Sequence, residues 1–532
     1  MKVSDVLVHC LENEGVEYVF GIVGTETLDL ADSFSKSKQI QYVNVRHEQG
    51  AAFMADVYGR LSKKVGVCLS TLGPGATNLL TGIASAQLDH SPVVALIGQA
   101  GVERQHTESH QYIDITKLFE PAVKWSTQIQ EPETVPTVIR KAFRVAEMEK
   151  PGSVAVVLPE NYSSQMITNN KPLPVTSLPV SVPALASINE AKALIQRHQK
   201  PFILIGNGVI RQKAADELAA FINTLNVPAA HTFMAKGVLP KEHPLNYFTF
   251  GYKENDVVRS GINEADLLIV IGFDFVEQLP KDWNHKKLPV LHIDSLPAEI
   301  NDHYSVEVEL VGSIQHTLQL LNQTGLPTKK WLPAGNLHEK IMDAYQIGNL
   351  DKASSLPLTT EKLLHVIETH TSEHTIVISD VGAHKVSIAK TYQPKLPNRL
   401  IISNGLASMG IAIPGAIGAK LACPNAPVIC ITGDGGALMN FAEIETAKRM
   451  GLSFIIILLN DSMLKLEVQQ MNKMFGENYG VTFDNPDFVQ LATSFGIKGR
   501  RVNNLVEFEN SLKEALTYEN EIVLIDVYMQ SH

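Results

Sequence analysis

The sequence predicts an α/β protein built from three doubly wound parallel-sheet domains, and three observations carry that prediction. Short apolar runs repeatedly stop at Gly, Ser or Asn, the way parallel strands deliver polar groups to the C-terminal edge of a sheet. Helical stretches alternate with these runs along most of the chain. Two polar, proline-containing stretches divide the alternation into thirds, and 532 residues suit about three domains. The expected units are 1–168, 186–325 and 356–532, with linkers at 169–185 and 326–355.

In the first unit an amphipathic helix opens at Met1-Lys2-Val3-Ser4-Asp5. Tyr18–Phe20 reads as a strand before the Gly21-Ile-Val-Gly24-Thr25 turn, and Ile40–Val45 as a second strand. Arg46-His47-Glu48 then leads into a helix through Arg60. Val65–Ser70 runs into Gly73-Pro74-Gly75 with a helix from Ala76, and Val93–Ile97 follows. Pro172, Pro174, Pro179 and Pro183 keep the first linker extended. Strands at Phe202–Ile205, Leu267–Ile271 and Val290–Ile293 define the middle unit. The last unit runs from Thr375–Ile378 to Ile522–Ile525. Within it Val428–Thr432 ends in Gly433-Asp434-Gly435-Gly436, a helix is expected from about Met439 to Met450, and Phe454–Leu459 ends in Asn460-Asp461-Ser462.

Composition narrows the function. A net charge of −11 with no basic cluster argues against nucleic acid and anionic membranes. Cys10, Cys68, Cys423 and Cys430 lack metal-ligand spacing and suit free thiols, three of them in apolar stretches. No apolar run reaches spanning length and no signal-peptide core opens the chain, so a cytoplasmic protein is expected.

The chemistry is concentrated where strands end. Asp434 and Asn460 offer hard oxygen ligands suited to Mg2+, with phosphate oxygens and water completing the octahedron. The glycines beside Asp434 let backbone N–H groups approach an anion. A lone Gly-Asp-Gly is usually a turn, but here the 24 residues from Gly436 to Leu459 separate it from Asn460-Asp461. That spacing resembles the signature of the thiamine diphosphate enzymes. Arg46-His47-Glu48-Gln-Gly-Ala resembles their Arg-His-Glu-x-x-Ala segment, and Gly73-Pro74-Gly75 with Asn78 their turn beside the cofactor's pyrimidine. Each has a plainer account, a helix-dipole carboxylate for Glu48 and a capped strand-turn-helix junction for Gly73–Asn78. The concurrence of the three outweighs those accounts.

By that resemblance, Glu48 hydrogen-bonds the aminopyrimidine and promotes loss of the thiazolium C2 proton, giving the nucleophile. Ala407 and Met409 would contact the pyrimidine, the Met wedging the cofactor into a bent shape. Ala383 and His384 would lie near the diphosphate with Gly433, Asp434, Gly435, Gly436 and Asn460. Asp434, Asn460 and the Ser462 carbonyl would hold Mg2+.

Within this family the chain is similar to acetolactate synthase, most of all the catabolic, FAD-independent kind. His110-Gln111 resembles its His-Gln pair, with Gln111 reaching the reacting carbonyl and Gly24-Thr25 lining the chamber. Val276-Glu277-x-x-Pro280-x-x-Trp283-Asn284 and His292-Ile-Asp294-x-Leu-Pro297 resemble its middle domain. Gln470 stands where 2-ketobutyrate-preferring relatives carry Trp. FAD is not expected, because Phe273-Asp274-Phe275-Val276-Glu277 lacks the nucleotide-facing Arg; Met234-Ala-Lys236-Gly237 and Gly206-Asn207-Gly208 leave at most a vestigial site. Three departures stand out: Leu406 for Gln, Val23 for Pro, and Glu467 for an apolar residue, which leaves the acceptor substrate open.

The resemblance implies decarboxylation of pyruvate and addition of the hydroxyethyl carbanion to a second pyruvate, giving 2-acetolactate and CO2. It also implies a homodimer at minimum and a homotetramer in the family's usual form, with the cofactor between subunits. The alternatives are another thiamine diphosphate decarboxylase or carboligase, an inactive cofactor-binding subunit and, last, a flavin or NAD oxidoreductase. A proton-donating His-His pair, common in decarboxylases of this fold, is missing from the sequence.

Overall fold

The computed structural model describes residues 1–252, 256–348 and 358–529. The expected linker 326–355 and the start of the third unit at 356 fall partly outside them. The described residues form three six-stranded sheets, parallel in every pairing, with helices between most successive strands but not between Ala229–His231 and Asn246–Thr249 or between Pro289–Asp294 and Ser305–Val311.

The first sheet comprises β1 (Tyr18–Gly21), β2 (Gln41–Asn44), β3 (Gly66–Ser70), β4 (Val93–Gln99), β5 (Trp125–Gln128) and β6 (Ser153–Pro159), in the order β2-β1-β3-β4-β6-β5. The middle sheet comprises β7 (Pro201–Ile205), β8 (Ala229–His231), β9 (Asn246–Thr249), β10 (Leu267–Ile271), β11 (Pro289–Asp294) and β12 (Ser305–Val311), ordered β12-β11-β10-β7-β8-β9. The third comprises β13 (Ile376–Ser379), β14 (Leu400–Ile402), β15 (Val428–Gly433), β16 (Ile455–Asn460), β17 (Lys498–Val502) and β18 (Val523–Tyr528), ordered β14-β13-β15-β16-β18-β17. The first and third sheets thus share one topology. Strand order reverses between β1 and β3, between β7 and β10, and between β13 and β15, and ligands of open α/β sheets bind at such reversals.

Several strands escaped the sequence-based prediction. β5 and β17 carry polar residues on sheet edges, and neither has a continuous apolar run. β6, Ser153–Pro159, is wholly buried and apolar after Ser153. The helix expected at Met439–Met450 requires correction. One helix begins at Asp434 itself and ends at Asn440, and a second spans Glu443–Arg449. The glycine run that suggested a turn is therefore the first helical turn.

The buried helix Glu48–Ser62 lies between Pro74–Leu88 of its own unit and Ala412–Ala422 of the third. Its neighbours approach so closely that a Cβ on Gly82 would lie 2.4 Å from Ala52 Cβ, and one on Gly418 would lie 2.4 Å from the Met54 carbonyl oxygen. Close packing on both sides accounts for the small residues along this helix. First and third units consequently share one hydrophobic core. Cys10, Cys68 and Cys430 are buried free thiols, and Cys423 is half-buried.

Candidate active site

The register of the third sheet sets the geometry. Gly433 on β15 pairs with Leu459 on β16, so Asp434 and Asn460 emerge side by side at the strand ends. Asp434 Oδ2 accepts hydrogen bonds from the Asp461 and Ser462 N–H groups at 3.1 and 2.6 Å. Asn460 Nδ2 donates to Asp526 Oδ1 at 2.9 Å, and Arg501 Nε holds the other Asp526 oxygen at 2.8 Å. Because the amide nitrogen of Asn460 is engaged behind it, Oδ1 faces the site, as outer partners orient metal ligands elsewhere. Among the described residues no three His, Cys, Asp or Glu side chains form a metal cluster. The available donor set is instead one carboxylate, one amide oxygen and one carbonyl.

Beside this set lies a cavity of about 520 Å3, bordered by Ala383, His384, Met409, Gly433–Gly436 and Glu467. Its chemistry suits a diphosphate. His384 is buried with Nε2 unpartnered, and burial pushes its pKa down to about 4. A Cβ on Gly435 would fill space 3.4 Å from Met409 Cε. The helix Ala383–Thr391 begins at the cavity with no side-chain cap over its first N–H groups.

Asp380, which the sequence did not single out, holds this half together. It accepts from the N–H groups of Val381 (2.7 Å), Gly410 (2.8 Å) and Ala412 (3.3 Å) and from Thr432 Oγ1 (3.1 Å). Burial pushes its pKa up, and these donors oppose that shift. It fixes the loop carrying Ala407, which has φ 54°, and Met409.

The first-unit residues assemble separately. Glu48 is buried and accepts from Asn78 Nδ2 at 3.0 Å. Gly24 and Gly75 both lie against Thr71, and Gly75 also lies against Glu48. Gly73 has φ +54°, and a Cβ there would sit 2.7 Å from the Gln111 carbonyl oxygen. Thr25 and Gln111 are exposed. Glu443, also missed, reaches across from the third unit: its Oε1 accepts from the Arg46 and His47 N–H groups at 3.0 and 2.9 Å. Of the described residues bordering the 520 Å3 cavity, none comes from the first unit.

At the middle sheet's reversal the glycines serve packing. A Cβ on Gly206 would lie 2.2 Å from the Gly272 carbonyl oxygen, and Gly208 N–H donates to that oxygen at 2.8 Å. Arg211 is paired with Asp274 at 2.5 Å. Glu277 accepts from the Met234 N–H at 3.2 Å, and burial pushes its pKa up to about 8.

Two sheets of matching topology, the third unit's carrying Asp434 and Asn460 at its strand ends beside a cavity, suit an enzyme that binds a cofactor. Three family models agree: the thiamine pyrophosphate enzyme N-terminal TPP binding domain over residues 1–118, the central domain over 188–321, and the C-terminal TPP binding domain over 380–527. The chain is 34% identical to a probable acetolactate synthase large subunit of Methanococcus aeolicus, covering 98% of this chain and 91% of that one. It is 31% identical to an acetolactate synthase of Bacillus subtilis (98% and 92% covered). With the acetolactate synthase isozyme 2 large subunit of Escherichia coli the identity is 32% (98% and 95% covered). The chain belongs to the thiamine-pyrophosphate-dependent acetolactate synthase family. No described helix is long and apolar enough to cross a membrane.

Proposed function

We propose that the protein converts two molecules of pyruvate and one proton into 2-acetolactate and CO2, using thiamine diphosphate held through Mg2+. The observation that carries this is the pair of complementary half-sites, Glu48 on one and the Asp434–Asn460 pair with its cavity on the other. Thiamine diphosphate supplies the electron sink for decarboxylation. Asp434, Asn460 Oδ1 and the Ser462 carbonyl would hold the metal, while His384 and the uncapped N–H groups after Gly382 would face the diphosphate. Glu48 would exchange a proton with the pyrimidine ring, with Asn78 fixing its carboxylate. Gln111 and the Gly24-Thr25 turn would border the reacting carbonyl. Met409 would support the ring stack from the cavity side.

Because no first-unit residue borders the described cavity, the working site takes Glu48 from one copy of the chain and Asp434 from another. A homodimer is the smallest active form, and two such dimers would make the proposed tetramer. Glu467 on the cavity wall bears on the acceptor, since a carboxylate there disfavours a second anion unless Mg2+ or a proton offsets it.

Product identification tests the reading. Pyruvate with thiamine diphosphate and Mg2+ should yield CO2 and acetolactate, read as acetoin after acid. Acetaldehyde as the sole product would replace it with a simple decarboxylase. Glu48→Gln should lower turnover by about 10²–10⁴-fold, the usual range for a positioned proton-transfer group, while calorimetry finds cofactor affinity far less affected. Near-normal turnover would remove Glu48 from the mechanism.

A further inference from the structure

The three oxygens assigned to the metal already carry donors from one short segment. Phe483 N–H donates to the Ser462 carbonyl at 3.1 Å. Asn485 Nδ2 lies 2.7 Å from Asp434 Oδ2, 2.9 Å from Asn460 Oδ1 and 3.2 Å from Ser462 Oγ. Asn485 Oδ1 is buried with no hydrogen-bond partner. An amide nitrogen set between a carboxylate and an amide oxygen takes the place a small divalent cation needs, since both demand the same lone pairs. The Phe483 contact can persist on the second lone pair of the Ser462 carbonyl; Asn485 conflicts with the cation by position, because its nitrogen lies within 2.9 Å of both other oxygens, where a shared ion would sit.

We propose that Asn485 is a built-in competitor for the divalent cation, so that loading the metal expels its side chain and Asn485 thereby sets the metal affinity. The unpartnered oxygen favours release, because the expelled amide regains water at both ends. The movement has a route to the cavity wall. Phe483 and Val481 are hydrogen-bonded to Ser462 and Leu464, and Met463 bridges Thr482. Leu464 immediately precedes the helix Lys465–Phe475, which carries Glu467 and Gln469 on the cavity wall and buries none of its residues. Metal loading and the placement of that wall are then linked.

The inference rests on the metal assignment above, and the test separates the two. Free Mn2+ is followed by electron paramagnetic resonance during titration of the full-length protein with saturating thiamine diphosphate, a readout that needs no turnover. Asn485→Ala should bind Mn2+ about tenfold more tightly than wild type, the equivalent of one or two lost competing hydrogen bonds. Asp434→Ala should abolish binding. If Asp434→Ala binds like wild type, the metal assignment falls and the inference with it. If Asp434→Ala abolishes binding while Asn485→Ala binds equally or more weakly, the metal assignment stands and the competitor is overturned. Hydrogen exchange gives a second measure on wild type alone: amides of 481–487 should exchange faster once Mg2+ is bound, and unchanged protection overturns the proposal.

Discussion

At the scale of single residues, burial without compensation is the informative feature. His384 is neutral because desolvation depresses its pKa from 6.5 to about 4. Between those values the unfolded chain holds a proton that the folded one lacks, so stability is intact above pH 6.5 and falls as pH drops toward 4. His384→Leu should remove that contribution, shrinking the loss between pH 7 and pH 4 by about 3 kcal/mol in urea unfolding. An equal loss in both proteins would show that the imidazole is not desolvated as described. Asp380 poses the opposite case, one buried carboxylate serving four donors. Asp380→Ala leaves those donors without a partner and should destabilise by about 3–5 kcal/mol, read by denaturant melts. A change below about 1 kcal/mol would mean the Gly410 loop is held by other contacts.

Among elements, the clearest lesson is the helix that begins at Asp434. Adjacent glycines lower helix propensity, so Gly435-Gly436 suggested a turn. Tertiary packing overrides that preference: a Cβ on Gly436 would come within 3.0–3.1 Å of the Asp380 carboxyl. Gly436 is needed so that the helix can begin against Asp380, and Asp434 at its first position favours the helix dipole. The link between Glu443 and the Arg46-His47 backbone is a second joint between elements. Glu443 is wholly buried, and burial pushes its pKa up against the donors that hold it. Glu443→Ala should cost about 2–4 kcal/mol and disturb the turn leading to Glu48, giving lower turnover together with a lower melting temperature. Unchanged stability would contradict the joint.

Across the whole molecule, the proposed sharing of each site between two copies makes a testable prediction. Glu48→Gln and Asp434→Ala chains, each inactive alone, should recover about a quarter of wild-type activity when mixed under subunit exchange, because half the dimers are mixed and each has one intact site. No recovery would place each site within one chain. The units themselves are tied by buried charge. Burial works against ionising Asp274, but the Arg211 guanidinium and the Lys150 ammonium beside it more than compensate and hold its pKa below the usual carboxylate range. Lys150 belongs to the first unit and Arg211 to the middle one, so this cluster fixes the two together.

The sequence by itself determined the alternation of strand and helix, the family, and the placement of Asp434 beside Asn460. Those follow from local apolar periodicity and a fixed spacing between two strand ends, which any reader of the chain can count. Only the tertiary structure revealed Asp380, Glu443 and Asn485, whose partners beyond their own turns lie between 23 and 397 positions away. Whether a lone acid or amide meets a donor, a ligand or water depends on which distant strand end faces it, and packing alone decides that.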